Sequence, residues 1–180
     1  MNRLALTAAV AALVAAPAAF ANLMVGDKAP DFSTQASMAG KAYPFKLEQA
    51  LKKGPVVLYF FPAAFTPGCT IEAHDFAEAA SQYKALGATL IGVTAGNINR
   101  LTEFSVSECR SKFPVAADPD AKIAAQYNST FAEHPGYSNR TSYVIAPDGK
   151  VLLVYSNLNP DDHVAQTLAA VKAWRDKHPM

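Results

Sequence analysis

Two apolar runs separated by a helical pattern constrain the fold of this chain more than any other feature. Residues 55–61 form a continuous β-prone run that ends at Pro62, and residues 88–94 form a second run of the same kind. Between them, apolar side chains recur at helical spacing from Cys69 onward, and Gly87 supplies a stop. A strand, a helix and a strand in this order indicate a parallel βαβ unit, so we predict an α/β fold.

The segments on either side of this unit predict shorter elements. Residues 30–50 are expected to hold an N-terminal hairpin and a short helix, and a further helix is expected over residues 99–110. Asp118 and Pro119 are typical of an N-cap followed by the first residue of a short helix, because proline tolerates that position.

The C-terminal third predicts an antiparallel pair and a last helix. The Asp-Gly turn within residues 147–150 is expected to join strands at 140–146 and 151–155 as a hairpin. Asn159 is predicted to cap the final helix, whose apolar side chains share one face. No linker interrupts the pattern, so we predict one domain over residues 22–180.

Charge and cysteine content exclude several functional classes. The 180 residues carry 16 basic and 15 acidic side chains, a net charge of +1. That balance gives no field to hold nucleic acid or an anionic membrane, so we predict no nucleic-acid partner. The two cysteines are too few for a disulfide framework, a four-thiolate zinc site or an iron–sulfur cluster, and we predict no metal and no cofactor.

The N-terminus has the pattern of an export signal. Arg3 precedes an apolar run over residues 4–19, and Ala19 and Ala21 form the small-residue pattern of a cleavage site. We therefore predict a signal peptide over residues 1–21, export to a bacterial periplasm, and no stable membrane association after cleavage. The alternative is an uncleaved anchor helix, since the run approaches the length that spans a bilayer.

The junction between the first strand and the helix carries a cysteine in an unusual setting. Cys69 falls on the first turn of the helix, where unpaired amides and the helix dipole favour the thiolate form. Pro67 rigidifies the turn, Gly68 allows close backbone approach, and Thr66 brings a hydroxyl to the same region. The alternative is that Cys69 is a small buried hydrophobe.

These residues resemble a known family. Pro62, Thr66 and Cys69 match the P-x-x-x-T-x-x-C signature of peroxiredoxins, which are thiol peroxidases on a thioredoxin-like fold. Arg140 matches the arginine that opens a later strand in that family, and residues 65–73 are most similar to the bacterioferritin-comigratory or Q-type branch. The resemblance implies a mixed central sheet flanked by helices.

The resemblance also implies a site and a reaction. A Cys69 thiolate would attack hydrogen peroxide or a small organic hydroperoxide, while Thr66 and Arg140 donate hydrogen bonds to the oxygens. Pro62 would shield the sulfur from over-oxidation, and Glu72 would orient an arginine, unless Glu72 is a solvated helix carboxylate. We expect a monomer or weak dimer.

The sulfenic acid formed on Cys69 must condense with a second thiol. Many Q-type members have that thiol five residues after the first cysteine, where this chain has His74. We therefore predict an internal disulfide with Cys109, whose polar neighbours suggest an exposed side chain. The alternative is a 1-Cys enzyme resolved by an external thiol. In either scheme, a thioredoxin-like protein or a small thiol is the expected reductant.

Two other functions compete with the peroxidase. A disulfide reductase of the thioredoxin type needs a C-x-x-C pair, but Thr66 and Glu72 stand three residues from Cys69 on either side. An exported copper or zinc chaperone would use Cys69, His74 and Cys109 as ligands.

Overall fold

The N-terminal part of the domain is a hairpin followed by a short helix. The structure is a computed structural model that describes residues 23–179, so the predicted signal segment lies outside the described residues. Strands β1 (Ser33–Met38) and β2 (Lys41–Lys46) pair antiparallel and lead into helix α1 (Leu47–Leu51). This confirms the predicted hairpin and helix.

The predicted βαβ unit forms the centre of the fold. Strand β3 (Val56–Phe60) is buried along its whole length and pairs in parallel with β4 (Thr89–Thr94). Helix α2 (Pro67–Ala85) connects them, and Gly87 adopts a φ of +67° after its end. Continuous apolar runs of this kind form strands that are covered on both faces, so the sequence pattern and the position of β3 agree.

The complete sheet is mixed and has seven strands in the order β2-β1-β5-β4-β3-β6-β7. The predicted C-terminal hairpin is present as β6 (Thr141–Ile145) and β7 (Val151–Ser156). Strand β5 (Val115–Ala117) was not predicted, because three residues are too few to display a periodicity. It joins the N-terminal hairpin to β4 and so completes the sheet.

The predicted helix over residues 99–110 is shorter than expected. A 3₁₀ turn at Ile98–Arg100 precedes helix α3 (Leu101–Ser107), and Cys109 lies beyond its end. The Cys109 amide donates to the Phe104 carbonyl at 3.0 Å, five residues back. Arg110 and Ser111 follow with positive φ, which stops a right-handed helix. The prediction that Cys109 lies in this helix was therefore wrong.

Two further helices begin later than predicted. The Asp118 carboxylate accepts hydrogen bonds from the amides of Ile123 and Ala124, both at 2.8 Å, and thereby caps helix α4 (Lys122–Gln126) across an intervening 3₁₀ turn. The last helix, α5 (His163–Lys177), starts after Asp162 and not after Asn159. Among the described residues, no helix combines the length and the apolar character needed to cross a membrane.

The two faces of the sheet bury separate apolar clusters. Alternate residues of β3 point to opposite faces, so Val56, Leu58 and Phe60 belong to one cluster and Val57 and Tyr59 to the other. The second cluster lies under α2 and α5 and includes both cysteines. We call it the α2-side core; its buried rings are Tyr59, Phe61, Phe76, Tyr83, Phe104 and Phe113.

Gly92 is required by this packing, and we predict that Gly92→Ala destabilises the domain. A Cβ at Gly92 would lie 2.6 Å from Cζ of Tyr59, whose ring stacks on Phe76 with centroids 4.4 Å apart. We expect a loss of about 1–3 kcal/mol in the free energy of unfolding, measured by urea denaturation.

Gly136→Ala is the matched control, because a Cβ there meets no atom within 4 Å in the described chain. Its effect should stay within about 0.5 kcal/mol. Equal stabilities of the two variants would contradict the proposed packing constraint.

Candidate active site

The strand-to-helix junction places Cys69 on the first turn of α2. Thr66 precedes the helix in an extended conformation, and Pro67 occupies its start. The Thr66 carbonyl accepts from the Thr70 amide at 2.9 Å, while the Thr66 hydroxyl donates to the Ala63 carbonyl at 3.0 Å. Cys69 is 1% exposed and packs in the α2-side core. Burial alone is equally consistent with an unreactive cysteine in the core. The polar contacts of Cys69 therefore distinguish a reactive thiol from a buried hydrophobe.

Arg140 provides that polar contact. It lies immediately before β6, is 5% exposed, and directs Nη2 to the Cys69 sulfur at 3.5 Å. Its Nε donates to the Leu158 carbonyl at 2.9 Å, and its Nη1 pairs with Glu72. The guanidinium is thus held on three sides. Residues far apart in the chain meet here because β3 pairs antiparallel with β6, so the end of β3 that leads to α2 lies beside the start of β6.

Gly68 makes room for the guanidinium. A Cβ at this position would lie 3.0 Å from Nη2 of Arg140, which is tighter than most Cβ contacts, so the guanidinium would have to shift by a few tenths of an ångström. The close backbone approach inferred from the sequence therefore has a definite partner. The partner is the arginine and not the sulfur.

Glu72 is fully buried, so the alternative of a solvated helix carboxylate is wrong. One carboxylate oxygen, Oε2, pairs with Arg140. The other oxygen, Oε1, has no hydrogen-bond partner among the described residues. Burial raises the pKa of Glu72 to about 8, and the positive charge of Arg140 acts in the opposite direction.

His163 extends this buried group, although no sequence pattern singled it out. Its Nδ1 lies 2.8 Å from Oγ of Ser142 and 3.6 Å from Oε1 of Glu72, and its Nε2 lies 2.9 Å from the carbonyl of Asn157. The imidazole is fully buried, and burial is the main cause that lowers its pKa. A neutral ring is therefore the favoured form.

Cys109 is fully buried, which contradicts the exposed side chain expected from its polar neighbours. Those neighbours point outward: Glu108 bonds to His74 at 2.8 Å, and Arg110 pairs with Glu78. Cys109 turns inward to the α2-side core, where burial raises the pKa of its thiol. Both cysteines are free thiols.

The predicted alternative metal ligands do not form a cluster. His74 contacts Glu108, while Cys69 contacts Arg140. Within residues 23–179, no group of three histidine, cysteine, aspartate or glutamate side chains is arranged to hold a metal ion. The geometry therefore gives the metal-chaperone interpretation no support.

Comparison with known proteins decides the family. The model of the AhpC/TSA family matches residues 25–154. The chain belongs to this family. Chloroplastic peroxiredoxin Q of Sedum lineare is 30% identical over 160 residues, covering 87% of this chain and 82% of the plant protein. The crystal structure of peroxidoxin BcpB from Mycobacterium tuberculosis is 32% identical, with a TM-score of 0.75, and covers 84% of this chain and 98% of that one.

These relatives confirm the resemblance and the fold class. The domain has the thioredoxin-like fold of peroxiredoxins, and Q-type proteins are among its relatives. The protein is accordingly a thiol peroxidase, an oxidoreductase that takes electrons from thiols. AhpC of Mycobacterium tuberculosis, at 16% identity and a TM-score of 0.75, shares the fold.

The contact between Gly68 and Arg140 leads to a prediction for Gly68→Ala. The added methyl crowds Nη2, the nitrogen that contacts the Cys69 sulfur, while Glu72 and the Leu158 carbonyl restrict the guanidinium on its other sides. We expect the rate constant for oxidation of Cys69 by peroxide to fall by about tenfold or more, measured by stopped-flow fluorescence. Gly136→Ala should keep the wild-type rate. An unchanged rate in Gly68→Ala would show that the contact has no kinetic role.

Proposed function

We propose that this protein reduces hydrogen peroxide and small organic hydroperoxides, with Cys69 as the peroxidatic residue. The observation that carries this proposal is the 3.5 Å contact between Nη2 of Arg140 and the Cys69 sulfur at the start of α2. A permanent cation beside a thiol on a helix N-terminus favours the thiolate, which is the nucleophilic form. The guanidinium also supplies donors for a substrate oxygen.

The proposed chemical step is an in-line displacement. The thiolate of Cys69 forms an S–O bond with one peroxide oxygen while the O–O bond breaks, and the other oxygen leaves with the electron pair. The sulfur becomes a sulfenic acid, and the leaving oxygen takes up a proton to become water or an alcohol. Donors from Arg140 and the Gly68–Cys69 turn stabilise the growing negative charge.

Thr66 and Pro62 take supporting roles in this proposal. The Thr66 hydroxyl donates to the Ala63 carbonyl, so its oxygen can accept a hydrogen bond from the O–H group of the peroxide. Donation from Thr66 to a peroxide oxygen, which the resemblance implied, requires the hydroxyl to turn away from Ala63. Pro62 ends the central strand and lies half-buried beside this turn. Its ring limits the entry of water and so protects the sulfenic acid from over-oxidation.

Resolution by Cys109 is the second part of the proposal. The sulfenic acid of Cys69 condenses with the Cys109 thiol to give a disulfide and one water molecule, and two external thiols then reduce the disulfide. Both sulfurs belong to the α2-side core, which supports the pairing. Because both are buried, the first turn of α2 and the turn that carries Cys109 must open locally.

The contacts beside Cys109 identify what must open. Glu108 and Arg110 flank the cysteine, and each bonds to a side chain of α2, His74 and Glu78 respectively. Movement of the turn toward Cys69 breaks or rearranges these two contacts. Should they hold the turn in place, an external thiol would resolve Cys69 and the enzyme would be of the 1-Cys type.

The cellular setting is also proposed. We infer that residues 1–21 direct export to a bacterial periplasm and that residues 22–180 act there as one domain, as a monomer or weak dimer. The apolar run and the small-residue cleavage pattern support this. A periplasmic thioredoxin-like protein or a small thiol would supply electrons, because cytosolic reductants do not reach that compartment.

Arg140→Lys tests the peroxidatic site. Lysine keeps the charge but loses the planar fork that spans Cys69 and Glu72. We expect the rate constant with peroxide to fall by roughly 10²-fold or more in stopped-flow mixing. Arg175→Lys is the control, since Arg175 bonds to the Leu86 carbonyl elsewhere in the fold. Wild-type kinetics in Arg140→Lys would remove the guanidinium from the mechanism.

Intact mass spectrometry after one equivalent of peroxide tests the resolving step. Wild type should lose about 2 mass units through disulfide formation, and Cys109→Ser should instead gain about 16 units, one oxygen. Cys69→Ser should keep its mass. A gain of oxygen in wild type would exclude Cys109 as the partner.

A further inference from the structure

The structure contains a buried group beyond the Cys69–Arg140 contact that the proposed mechanism does not use. Glu72 pairs with Arg140 through Oε2 only, and its Oε1 has no hydrogen bond among the described residues. An orphaned carboxylate oxygen in the interior is costly and needs an explanation. The polar atom that faces it is Nδ1 of His163, at 3.6 Å.

The tautomer of His163 follows from its other contacts. Nε2 lies 2.9 Å from the Asn157 carbonyl, which can only accept, so Nε2 carries the hydrogen. Nδ1 then carries a lone pair, and the Ser142 hydroxyl donates to it at 2.8 Å. Nδ1 of His163 and Oε1 of Glu72 are therefore both hydrogen-bond acceptors, and they face each other slightly beyond hydrogen-bond distance.

This arrangement is suited to one additional proton. A proton on either atom would convert the repulsive pair into a hydrogen bond after a closer approach of about 0.5 Å. When Nδ1 holds the proton, the Ser142 hydroxyl accepts from it. When the carboxyl group of Glu72 holds the proton, that group and the Ser142 hydroxyl share the single lone pair of Nδ1. The opposite directions of the two shifts, a raised pKa for Glu72 and a lowered pKa for His163, assign the proton mainly to the carboxyl group.

We propose that Glu72 and His163 form a proton-binding pair that sets how much of the Arg140 charge is available to Cys69, with His163 as a positioning residue of the peroxidase site. With a proton on the pair, Glu72 no longer offsets Arg140, and the guanidinium acts on the sulfur with its full charge. Without it, the Glu72 carboxylate competes with the thiolate for the same cation.

The proposal rests on the proposed function for its kinetic consequence but not for the pair itself. His163 lies on α5, outside residues 25–154 that the family model matches. The other charged and titratable groups near the pair belong to the elements packed around it: Arg140 just before β6, Asp75 on α2, Tyr59 on β3, Asp162 beside the helix start and the Tyr155 ring on β7.

The pair gives a definite direction to the pH dependence. As pH rises through the pKa of Glu72, near 8, the pair loses its proton and the carboxylate offsets Arg140. The rate constant for Cys69 oxidation should therefore fall on the alkaline side. In His163→Asn, the amide nitrogen can donate to Oε1 and stabilise the carboxylate. The decrease in the rate constant should therefore occur at a pH about one unit lower than in wild type.

Two further variants complete the kinetic test. Glu72→Gln keeps an acceptor for Arg140 but cannot titrate, so the alkaline fall should disappear. His178→Asn is the control, because His178 is exposed at the other end of α5 and stacks on Trp174. Its pH profile should match wild type. An alkaline fall that is unchanged in His163→Asn would overturn the proposal.

An NMR titration of the full domain, without peroxide, keeps the pair testable on its own. The ring resonances of His163 should shift with the titration of Glu72 in wild type and lose that transition in Glu72→Gln. Identical titration curves in both proteins would overturn the pair. Absence of peroxide reactivity together with the expected NMR transition would reject the proposed function and leave the pair intact.

Discussion

The buried guanidinium of Arg140 is the interaction on which the site depends. It connects the Cys69 sulfur to the Glu72 carboxylate and reaches the Leu158 carbonyl, so one side chain joins α2, the start of β6 and the segment after β7. The Arg140 side chain is only 5% exposed, and a buried charge of this kind is stable only when hydrogen-bond and ion-pair partners surround it. The fold supplies these partners before any substrate arrives, which is the condition for electrostatic preorganisation.

The apolar surroundings strengthen this interaction. Cys69 packs in the α2-side core, where little water competes with Arg140 for the sulfur, and charges interact more strongly there than at the surface. Burial has a second consequence, because a substrate must enter a nearly closed site. The shape of the surface does not reveal this site. A groove of about 600 Å³ lies between α5 and the C-terminal hairpin, but none of its lining residues belongs to the Cys69 site.

Much of the fold could be predicted from the sequence because its central elements have clear apolar patterns and turn residues. The βαβ unit has long apolar runs and the C-terminal hairpin has a defined Asp-Gly turn, whereas β5 and the ends of α3 and α5 depend on tertiary contacts. The same division applies to the site. Cys69 stood out through its turn and Arg140 through a resemblance, but His163 gave no signal, because its role arises only when α5 packs against Glu72.

Cys109 illustrates why local polarity misleads. Its neighbours are polar, so exposure was the natural inference, but the turn directs Glu108 and Arg110 outward to α2 and the cysteine inward. His74 stands where many Q-type relatives have a second thiol, and here it bonds to the residue beside Cys109. This position of α2 therefore contacts the Cys109 turn directly. In the resolving role that we propose for Cys109, the second thiol lies on this turn and not on the helix, but the reaction stays at the same surface of α2.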